Sequence, residues 1–183
     1  MPRPKIGILI SGRGSNMTAL IEASEQGLLA AEIVTVISDK PDALGLSVAA
    51  EKGVLAVAFL PKSYPSKQAY EQAVLAHLQS LDVTWVMLAG YMRLVGPTLL
   101  EAYPNRILNI HPSLLPKYKG LEAQKQALEA GETRIGCTVH VVTAEMDAGD
   151  IIMQASIAVM PGETVESVSA RLLVEENKLY PKA

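Results

Sequence analysis

The sequence predicts an α/β fold: a mostly parallel, open twisted sheet with helices on both faces and antiparallel β additions in the C-terminal half. Apolar, β-branched runs recur along the chain and alternate with amphipathic stretches. One run, 84–89, is continuously apolar, which is typical of a parallel strand that is buried on both faces. Short connections separate these elements, as in sheets built from strand–helix–strand units.

Strands and helices alternate through the first half of the chain. In order, the predicted elements are strand 5–11, helix 16–25, strand 32–38, helix 43–52, strand 56–60, helix 66–81, strand 84–89, helix 97–102 and strand 106–110. The strands are apolar runs, whereas the helices are amphipathic. In 66–81, for example, Tyr70, Val74 and His77 recur at helical spacing. This order predicts a parallel sheet.

The pattern changes in the second half. Residues 111–120 are rich in proline and lysine and are predicted to form a loop, which is followed by a helix over 121–130. Two strands, 136–142 and 151–159, flank the turn-rich segment 144–149, and a helix over 164–177 follows them. We find no internal repeat, low-complexity tract or linker, so we expect one domain over residues 1–183.

Composition excludes several classes of protein. The 183 residues are 49% hydrophobic and 19% charged, which excludes a disordered chain. A net charge of −3 and only 4% aromatic residues argue against a nucleic-acid binder. The single cysteine, Cys137, excludes an internal disulfide framework and a multi-cysteine zinc site. No apolar run approaches the ~20 residues that span a bilayer, so we expect a cytoplasmic protein with no membrane partner.

The first candidate motif is the segment 11–16, Ser-Gly-Arg-Gly-Ser-Asn, between the first strand and the first helix. Glycines allow a tight turn, and free N–H groups at a helix start attract phosphate. Ser15 or Asn16 is expected to cap the helix and to add a polar group to the anion. The alternative is a glycine-rich turn with no ligand, because neither a dinucleotide fingerprint nor a Walker A loop is complete.

The second motif is Asn109-Ile110-His111-Pro112-Ser113, at the carboxyl end of a predicted central strand, where open α/β sheets bind ligands. Strand alternation puts Asn109 and His111 on one side. An amide beside an imidazole suits stabilisation of an oxyanion and transfer of a proton. The alternative is a histidine that only terminates the strand.

Other polar positions are more ambiguous. The acidic segment 145–150 is typical of a solvated hairpin tip, although a carboxylate near His111 would raise the pKa of the imidazole. His140 could face either the core or a cleft, and His77 is expected at an interface or the surface. The three histidines lack metal-ligand spacing, so no metal is expected. Cys137 is expected to be buried and unreactive.

Seven segments, taken together, carry a family resemblance. They are Ile-Ser-Gly-Arg-Gly-Ser-Asn (10–16), Ala-Gly-Tyr-Met-Arg (89–93), Asn-Ile-His-Pro-Ser-Leu-Leu-Pro (109–116), Gln-Ala-Leu-Glu-Ala-Gly (126–131), Thr-Val-His (138–140), Met-Asp-Ala-Gly (146–149) and Tyr-Pro (180–181). In this order the chain resembles the folate-dependent formyltransferase family, and its glycinamide ribonucleotide branch in particular. The resemblance covers essentially the whole chain and implies a Rossmann-like formyltransferase fold.

The resemblance also implies roles for individual residues. Asn109, His111 and Asp147 match the catalytic group, with Asp147 tuning the histidine. The positions that match the phosphoribosyl substrate site are Gly14, Ser15, Asn16 and, near the glycinamide amine, Glu176. The positions that match the folate site are Lys67, Met92, Arg93, Leu94, Val95, Asn109, Thr143, Ala144, Glu145, Met146 and Asp147.

The implied reaction moves a formyl group from 10-formyltetrahydrofolate to the amine of glycinamide ribonucleotide, without a metal, in a monomer or weak homodimer. Three departures stand out: Lys67 replaces a frequent arginine, segment 120–124 lacks the histidines of some members, and the chain stops where members usually continue. A methionyl-tRNA formyltransferase would be expected to have a further, basic domain, and a formyltetrahydrofolate hydrolase an N-terminal regulatory one. A binding module without catalysis is the third rival.

Overall fold

The computed structural model describes residues 1–183 and is built on one seven-stranded sheet. The strands are β1 (Lys5–Ile10), β2 (Glu32–Ser38), β3 (Leu55–Ala58), β4 (Trp85–Leu88), β5 (Ile107–His111), β6 (Arg134–Val141) and β7 (Ile151–Ala158). The helices are α1 (Ser15–Glu25), α2 (Leu44–Glu51), α3 (Lys67–Ser80), α4 (Pro97–Ala102), α5 (Ala123–Glu129) and α6 (Val165–Leu179), with short 3₁₀ turns at Pro61–Ser63 and Tyr180–Lys182. Every predicted element is present, and the α/β class is confirmed.

The strand order is β3-β2-β1-β4-β5-β6-β7. The pairs among the first five strands are parallel, whereas β6 and β7 are antiparallel to their neighbours. The chain moves outward from β1 to β3 and then returns to place β4 on the other side of β1. Ligands of open α/β sheets bind at such a switch point, outside the carboxyl ends of the strands. The predicted motifs after β1, β4 and β5 all lie at this edge.

Apolar side chains fill both faces of the sheet. The residues of β4 alternate between the two sides: Val86 and Leu88 pack with α3 and α4, whereas Met87 packs on the face that α1 and α6 cover. Fully buried helix residues pack on each face, such as Leu78 of α3 on one and Leu172 of α6 on the other. Burying one such side chain stabilises the fold by about 1.5–3 kcal/mol. Burial on both faces explains the continuous apolar runs of the central strands.

The start of α1 differs from expectation. Its N-cap is Gly14, whose φ of 73° lies in the left-handed region, and no side chain caps the helix. The expectation that Ser15 or Asn16 caps α1 is therefore wrong. Both residues lie in the first turn, and their side chains reach toward α6 instead. Glycine is suited to this position because it has no Cβ to oppose a positive φ.

None of the six helices is both long enough and apolar enough to cross a bilayer.

Candidate active site

A cavity of about 530 Å³ opens at the carboxyl ends of β4 and β5. Many of the predicted site residues lie in its wall. These are Asn16, Met92, Arg93, Leu94, Val95, Asn109, His111, Thr143, Glu145, Met146, Asp147 and Glu176. They come from five separated stretches of the chain, and the sheet topology brings them together.

His111 ends β5 and is 94% buried, since its relative exposure is 6%. Its Nε2 lies 2.9 Å from the carbonyl oxygen of Tyr118, in the loop after β5. Its Nδ1 lies 3.5 Å from Oδ2 of Asp147. Both neighbours are hydrogen-bond acceptors, and only the protonated imidazolium can donate from both ring nitrogens. The imidazole ring is therefore held between two acceptor groups, one at each ring nitrogen.

Asp147 approaches His111 from the connection between β6 and β7. Its Oδ2 accepts a hydrogen bond of 2.8 Å from the N–H of Gly120, and its side chain is only 10% exposed. The expectation of a solvated hairpin tip is correct for Glu145 and Met146, which are exposed, but wrong for Asp147. The backbone of Asp147 has a φ of 49°, a conformation that aspartate tolerates better than most residues. This turn directs the carboxylate inward.

The turn also depends on a close approach of two backbones. A Cβ at Gly149 would overlap the carbonyl group of Val141, so no other residue fits there without movement of the turn. Glycine at this position lets the connection fold back tightly against the end of β6, which holds Asp147 over His111.

His140 lies beside Asn109 on the adjacent strand β6. Its Nε2 is 3.2 Å from Nδ2 of Asn109 and 3.7 Å from Oδ1 of Asp147, and its Nδ1 is 3.1 Å from the carbonyl oxygen of Val141. Burial lowers the pKa of His140 below its ordinary value. The residue lines the cavity although it is only 2% exposed. The choice between core and cleft, which the sequence left open, is resolved in favour of the cleft.

A second polar pair, Asn16 and Glu176, lies at the side of the cavity nearest α1 and α6. Nδ2 of Asn16 donates to Oε1 of Glu176 over 3.2 Å, while Oδ1 of Asn16 is buried without a partner. Burial raises the pKa of Glu176 to about 7, and the hydrogen bond from Asn16 opposes part of this effect. A carboxyl group with this pKa can bind or release a proton near neutral pH.

Ser11, next to the end of β1, connects the loop after β4 to the start of the β1–α1 turn through hydrogen bonds. The N–H of Met92 donates to Oγ of Ser11 over 2.9 Å, and the Ser11 hydroxyl donates to Oδ1 of Asp39 over 2.7 Å. Arg93 lies with its guanidinium 5.6 Å from the ring centre of Tyr70. Ser11 therefore connects the segment that opens the glycine turn with the loop that carries Met92–Val95.

Some predicted residues lie outside the cavity wall. Gly14 and Ser15 precede Asn16 at the start of α1, and the Ser15 hydroxyl donates to Oδ1 of Asn177 over 3.2 Å. Lys67 is exposed at the first position of α3, and Ala144 is exposed in the turn after β6. The acid–base residues therefore share the cavity wall, whereas Gly14, Ser15, Lys67 and Ala144 lie outside it.

The remaining candidates have structural surroundings. Nε2 of His77 lies 2.9 Å from the Thr35 hydroxyl at the interface of α3 with the sheet, as expected for an interfacial histidine. Cys137 is fully buried, and burial raises the pKa of its thiol to about 12. No group of three or more His, Cys, Asp and Glu side chains has an arrangement that could hold a metal ion.

Two features of the site were not identified as functional from the sequence. His140 is one of them, and its only signal was an imidazole within a mostly apolar strand. The other is the Tyr118 carbonyl group, for which no sequence signal exists because a backbone atom has no residue signature. Together the cavity offers an amide donor, an imidazole held between acceptors and a carboxylate, which suits polar addition to a carbonyl group.

Comparison with known proteins agrees with this chemistry. Residues 4–183 match the sequence pattern of a family described as formyl transferase. A phosphoribosylglycinamide formyltransferase from Haemophilus influenzae is 42% identical over 97% of this chain and 84% of its own length. The crystal structure of glycinamide ribonucleotide transformylase 1 from Symbiobacterium toebii superposes with a TM-score of 0.97 at 50% identity, covering 98% of this chain and 85% of that one.

A longer relative is also similar. The trifunctional purine biosynthetic protein adenosine-3 of Drosophila pseudoobscura pseudoobscura is 45% identical over the full chain. This chain spans only 14% of the length of that protein. The similarity to it therefore concerns one part of a larger polypeptide.

Proposed function

The chain belongs to the formyl transferase family, and on this basis we propose that it transfers a formyl group from 10-formyltetrahydrofolate to the amine of 5′-phosphoribosylglycinamide. The products are 5′-phosphoribosyl-N-formylglycinamide and tetrahydrofolate, in de novo purine biosynthesis. Relatives that carry the phosphoribosylglycinamide formyltransferase name match almost the whole chain. The observation that carries the proposal is the convergence of Asn109, His111 and Asp147 on one wall of the cavity.

The cavity has room and lining for a folate-derived donor. Its volume of about 530 Å³ falls in the range of small-molecule sites. We assign the donor to the side lined by Met92, Leu94 and Val95, with Arg93 and the turn Thr143–Asp147 beside them. The bound donor supplies a formyl carbon that is open to attack by an amine. Ala144 and the exposed Lys67 complete the proposed folate contacts, Lys67 for the distal tail.

We assign the phosphoribosyl substrate to the side near α1 and α6. Backbone N–H groups of Gly14, Ser15 and Asn16 at the start of α1 would bind the 5′-phosphate, since helix starts attract anions. Glu176 would contact the glycinamide amine. Its raised pKa of about 7 lets the carboxylate accept a proton from the substrate ammonium group, which leaves the neutral, nucleophilic amine.

Asn109 and His111 would act on the formyl oxygen. As the amine attacks, negative charge develops on this oxygen, and a positioned amide N–H together with an imidazolium N–H stabilises it. Removal of one such donor costs about 10²–10³ in kcat in other enzymes. Nε2 of His111 donates to the Tyr118 carbonyl over 2.9 Å, so the oxyanion would compete with this carbonyl for the same hydrogen.

Asp147 would hold His111 in its charged form and would help to move protons. Its carboxylate lies 3.5 Å from Nδ1, and a neighbouring negative charge stabilises the imidazolium. The collapse of the intermediate requires the proton to leave the attacking nitrogen and the folate nitrogen to receive one. The His111–Asp147 pair is the acid–base system placed to mediate this exchange.

The finer assignments complete the proposal. We propose that residues 1–183 act as one formyltransferase domain, with an N-terminal part for the phosphoribosyl substrate and a C-terminal part for folate. We propose a cytoplasmic monomer or weak homodimer that needs no metal and binds small molecules rather than nucleic acid or membrane.

One assay tests this function. The purified protein is incubated with 10-formyltetrahydrofolate and 5′-phosphoribosylglycinamide, and absorbance of the deformylated folate is followed. We expect deformylation that depends on the amine. Deformylation without the amine would indicate a hydrolase instead, and absence of any product would indicate a binding module.

Two variants test the site. His111→Ala and Asp147→Ala are each expected to reduce turnover by orders of magnitude while the protein stays folded. His77→Gln is the matched control, because His77 lies at the α3–sheet interface outside the cavity, and it should retain wild-type turnover. Near-wild-type turnover in either site variant would contradict the assignment.

A further inference from the structure

We propose that His140 is a positioning residue that orients the side-chain amide of Asn109, so that the NH₂ group rather than the carbonyl oxygen serves the reacting formyl group. This inference rests on the proposed function for its catalytic consequence, but the orientation itself is a property of the free protein. Nothing in the assignments above gives His140 a role.

The β-sheet register brings the two side chains together. Asn109 of β5 and His140 of β6 are directly opposite partners in an antiparallel pair. Opposite residues of such a pair have side chains on the same face and in contact distance. Here the face is the cavity side, and Nε2 of His140 lies 3.2 Å from Nδ2 of Asn109. The contact therefore follows from backbone register and does not depend on a flexible loop.

The hydrogen bonds of His140 determine where its proton lies. Nδ1 faces the carbonyl oxygen of Val141 at 3.1 Å, and a carbonyl oxygen can only accept. Nδ1 therefore carries the hydrogen. The ring is buried and its pKa is lowered, so the neutral form predominates and Nε2 has only a lone pair to offer. The group opposite Nε2 has to be a donor, which in Asn109 is the NH₂ group.

This assignment has a consequence at the reacting oxygen. One hydrogen of the Asn109 NH₂ group is directed to His140, and the other stays free for a ligand, since Asn109 lines the cavity. With the amide rotated by half a turn, the carbonyl oxygen of Asn109 would occupy that place. Two acceptors would then face each other, and the oxyanion would lose a donor.

Asp147 and His111 are the titratable groups that face His140. Oδ1 of Asp147 lies 3.7 Å from Nε2 of His140, beyond hydrogen-bond distance. The other oxygen of Asp147 already accepts from Gly120 at 2.8 Å and faces Nδ1 of His111 at 3.5 Å. The competing interpretation is a charged His140 that donates to Asp147, in which case Asn109 would turn its oxygen toward the ring.

Two variants of similar size separate these interpretations. Glutamine at position 140 can place an acceptor oxygen close to the site of Nε2, whereas methionine fills the same space without a strong acceptor. We expect His140→Met to reduce kcat about 10- to 100-fold with little change in either KM, within the loss that one oxyanion donor causes. His140→Gln should keep kcat within about threefold of the wild type. Equal kcat values in the two variants would overturn the proposal.

A spectroscopic measurement on the wild-type protein decides the same question without catalysis. In protein labelled with ¹⁵N-histidine, long-range ¹H–¹⁵N correlations are expected to show His140 neutral with its hydrogen on Nδ1 at pH 7. The side-chain NH₂ resonances of Asn109 should shift in His140→Met and return in His140→Gln. A charged ring, or a hydrogen on Nε2, would overturn the proposal even if His140→Met failed to fold.

The two experiments also separate this inference from the proposed function. Failure of the wild-type protein to transfer formyl groups would contradict the function while leaving the NMR test intact. Normal transfer with the wrong tautomer would contradict the inference alone.

Discussion

Replacing Glu176 by glutamine should change how stability depends on pH. Glu176 lies on α6 at 6% exposure, and the only hydrogen bond of its side chain comes from Nδ2 of Asn16. Glutamine keeps the shape of the side chain and an acceptor oxygen for Asn16, but it cannot ionise. The substitution therefore removes one buried titration while it changes packing very little.

The magnitude follows from linkage. Burial raises the pKa of Glu176 from 4.5 to about 7. At 1.36 kcal/mol per pKa unit, this difference corresponds to about 3 kcal/mol. Below pH 4.5 the carboxyl group is protonated in both the folded and the unfolded state. No charge then has to be buried on folding, so the protein has its full stability. As pH rises toward 7, the unfolded chain releases the proton while the folded protein retains it, so the free energy of unfolding falls.

Urea unfolding of the two proteins at pH 5 and pH 8 measures this effect. Between these values the wild type should lose about 2–3 kcal/mol more stability than Glu176→Gln, because part of the loss already occurs below pH 5. Titrations of other groups occur in both proteins and cancel in the subtraction. Glu175→Gln, one position away and with its side chain 35% exposed, is the control and should follow the wild type. If the difference in the free energy of unfolding between the wild type and Glu176→Gln is the same at pH 5 and pH 8, the reasoning is refuted.

Three further predictions concern residues around the site. Ser11→Ala removes the acceptor of the Met92 N–H and the buried hydroxyl donor to the Asp39 carboxylate. Chemical denaturation should therefore show a loss of about 1–3 kcal/mol, and kinetics should show a raised KM for the folate donor; unchanged values would contradict this. Gly149→Ala forces a Cβ against the Val141 carbonyl, and we expect turnover to fall together with the melting temperature, whereas an unaffected variant would show that the turn adapts freely. Cys137 is fully buried with a thiol pKa of about 12, so a thiol reagent should label it only after denaturant is added, and rapid labelling of native protein would be the contrary result.

Local patterns were sufficient to predict most of the fold. The strands 32–38 and 151–159 were predicted within one residue of β2 and β7, because runs of apolar and β-branched residues bounded by turn residues are typical of strands. The same run does not imply burial, since most side chains of β7 are exposed. Helix boundaries were harder to predict where the cap consists of a backbone conformation and no side-chain hydrogen bond. Gly14 caps α1 through a positive φ, and no side chain of Ser15 or Asn16 takes part. A sequence pattern records side chains and conveys backbone dihedrals only indirectly.

The site depended on contacts that are distant in sequence. Asp147 looked like part of a solvated turn because it lies in an acidic segment that contains a glycine. Its contacts are with Gly120 and His111, 27 and 36 positions earlier in the chain. For His140, alternation along the strand allowed either face. Only the register of β6 against β5 decided that its ring meets Asn109.

The sequence by itself determined the α/β class, the order of strands and helices, and the motifs that resemble formyltransferases. These properties depend on periodicity and on residue types within short segments, which act over a few neighbours. The tertiary structure decided the partners of His111, the inward direction of Asp147, the contact between His140 and Asn109, and the raised pKa of Glu176. Each of these depends on distance and burial between segments that are far apart in the chain, and only the folded sheet sets those quantities.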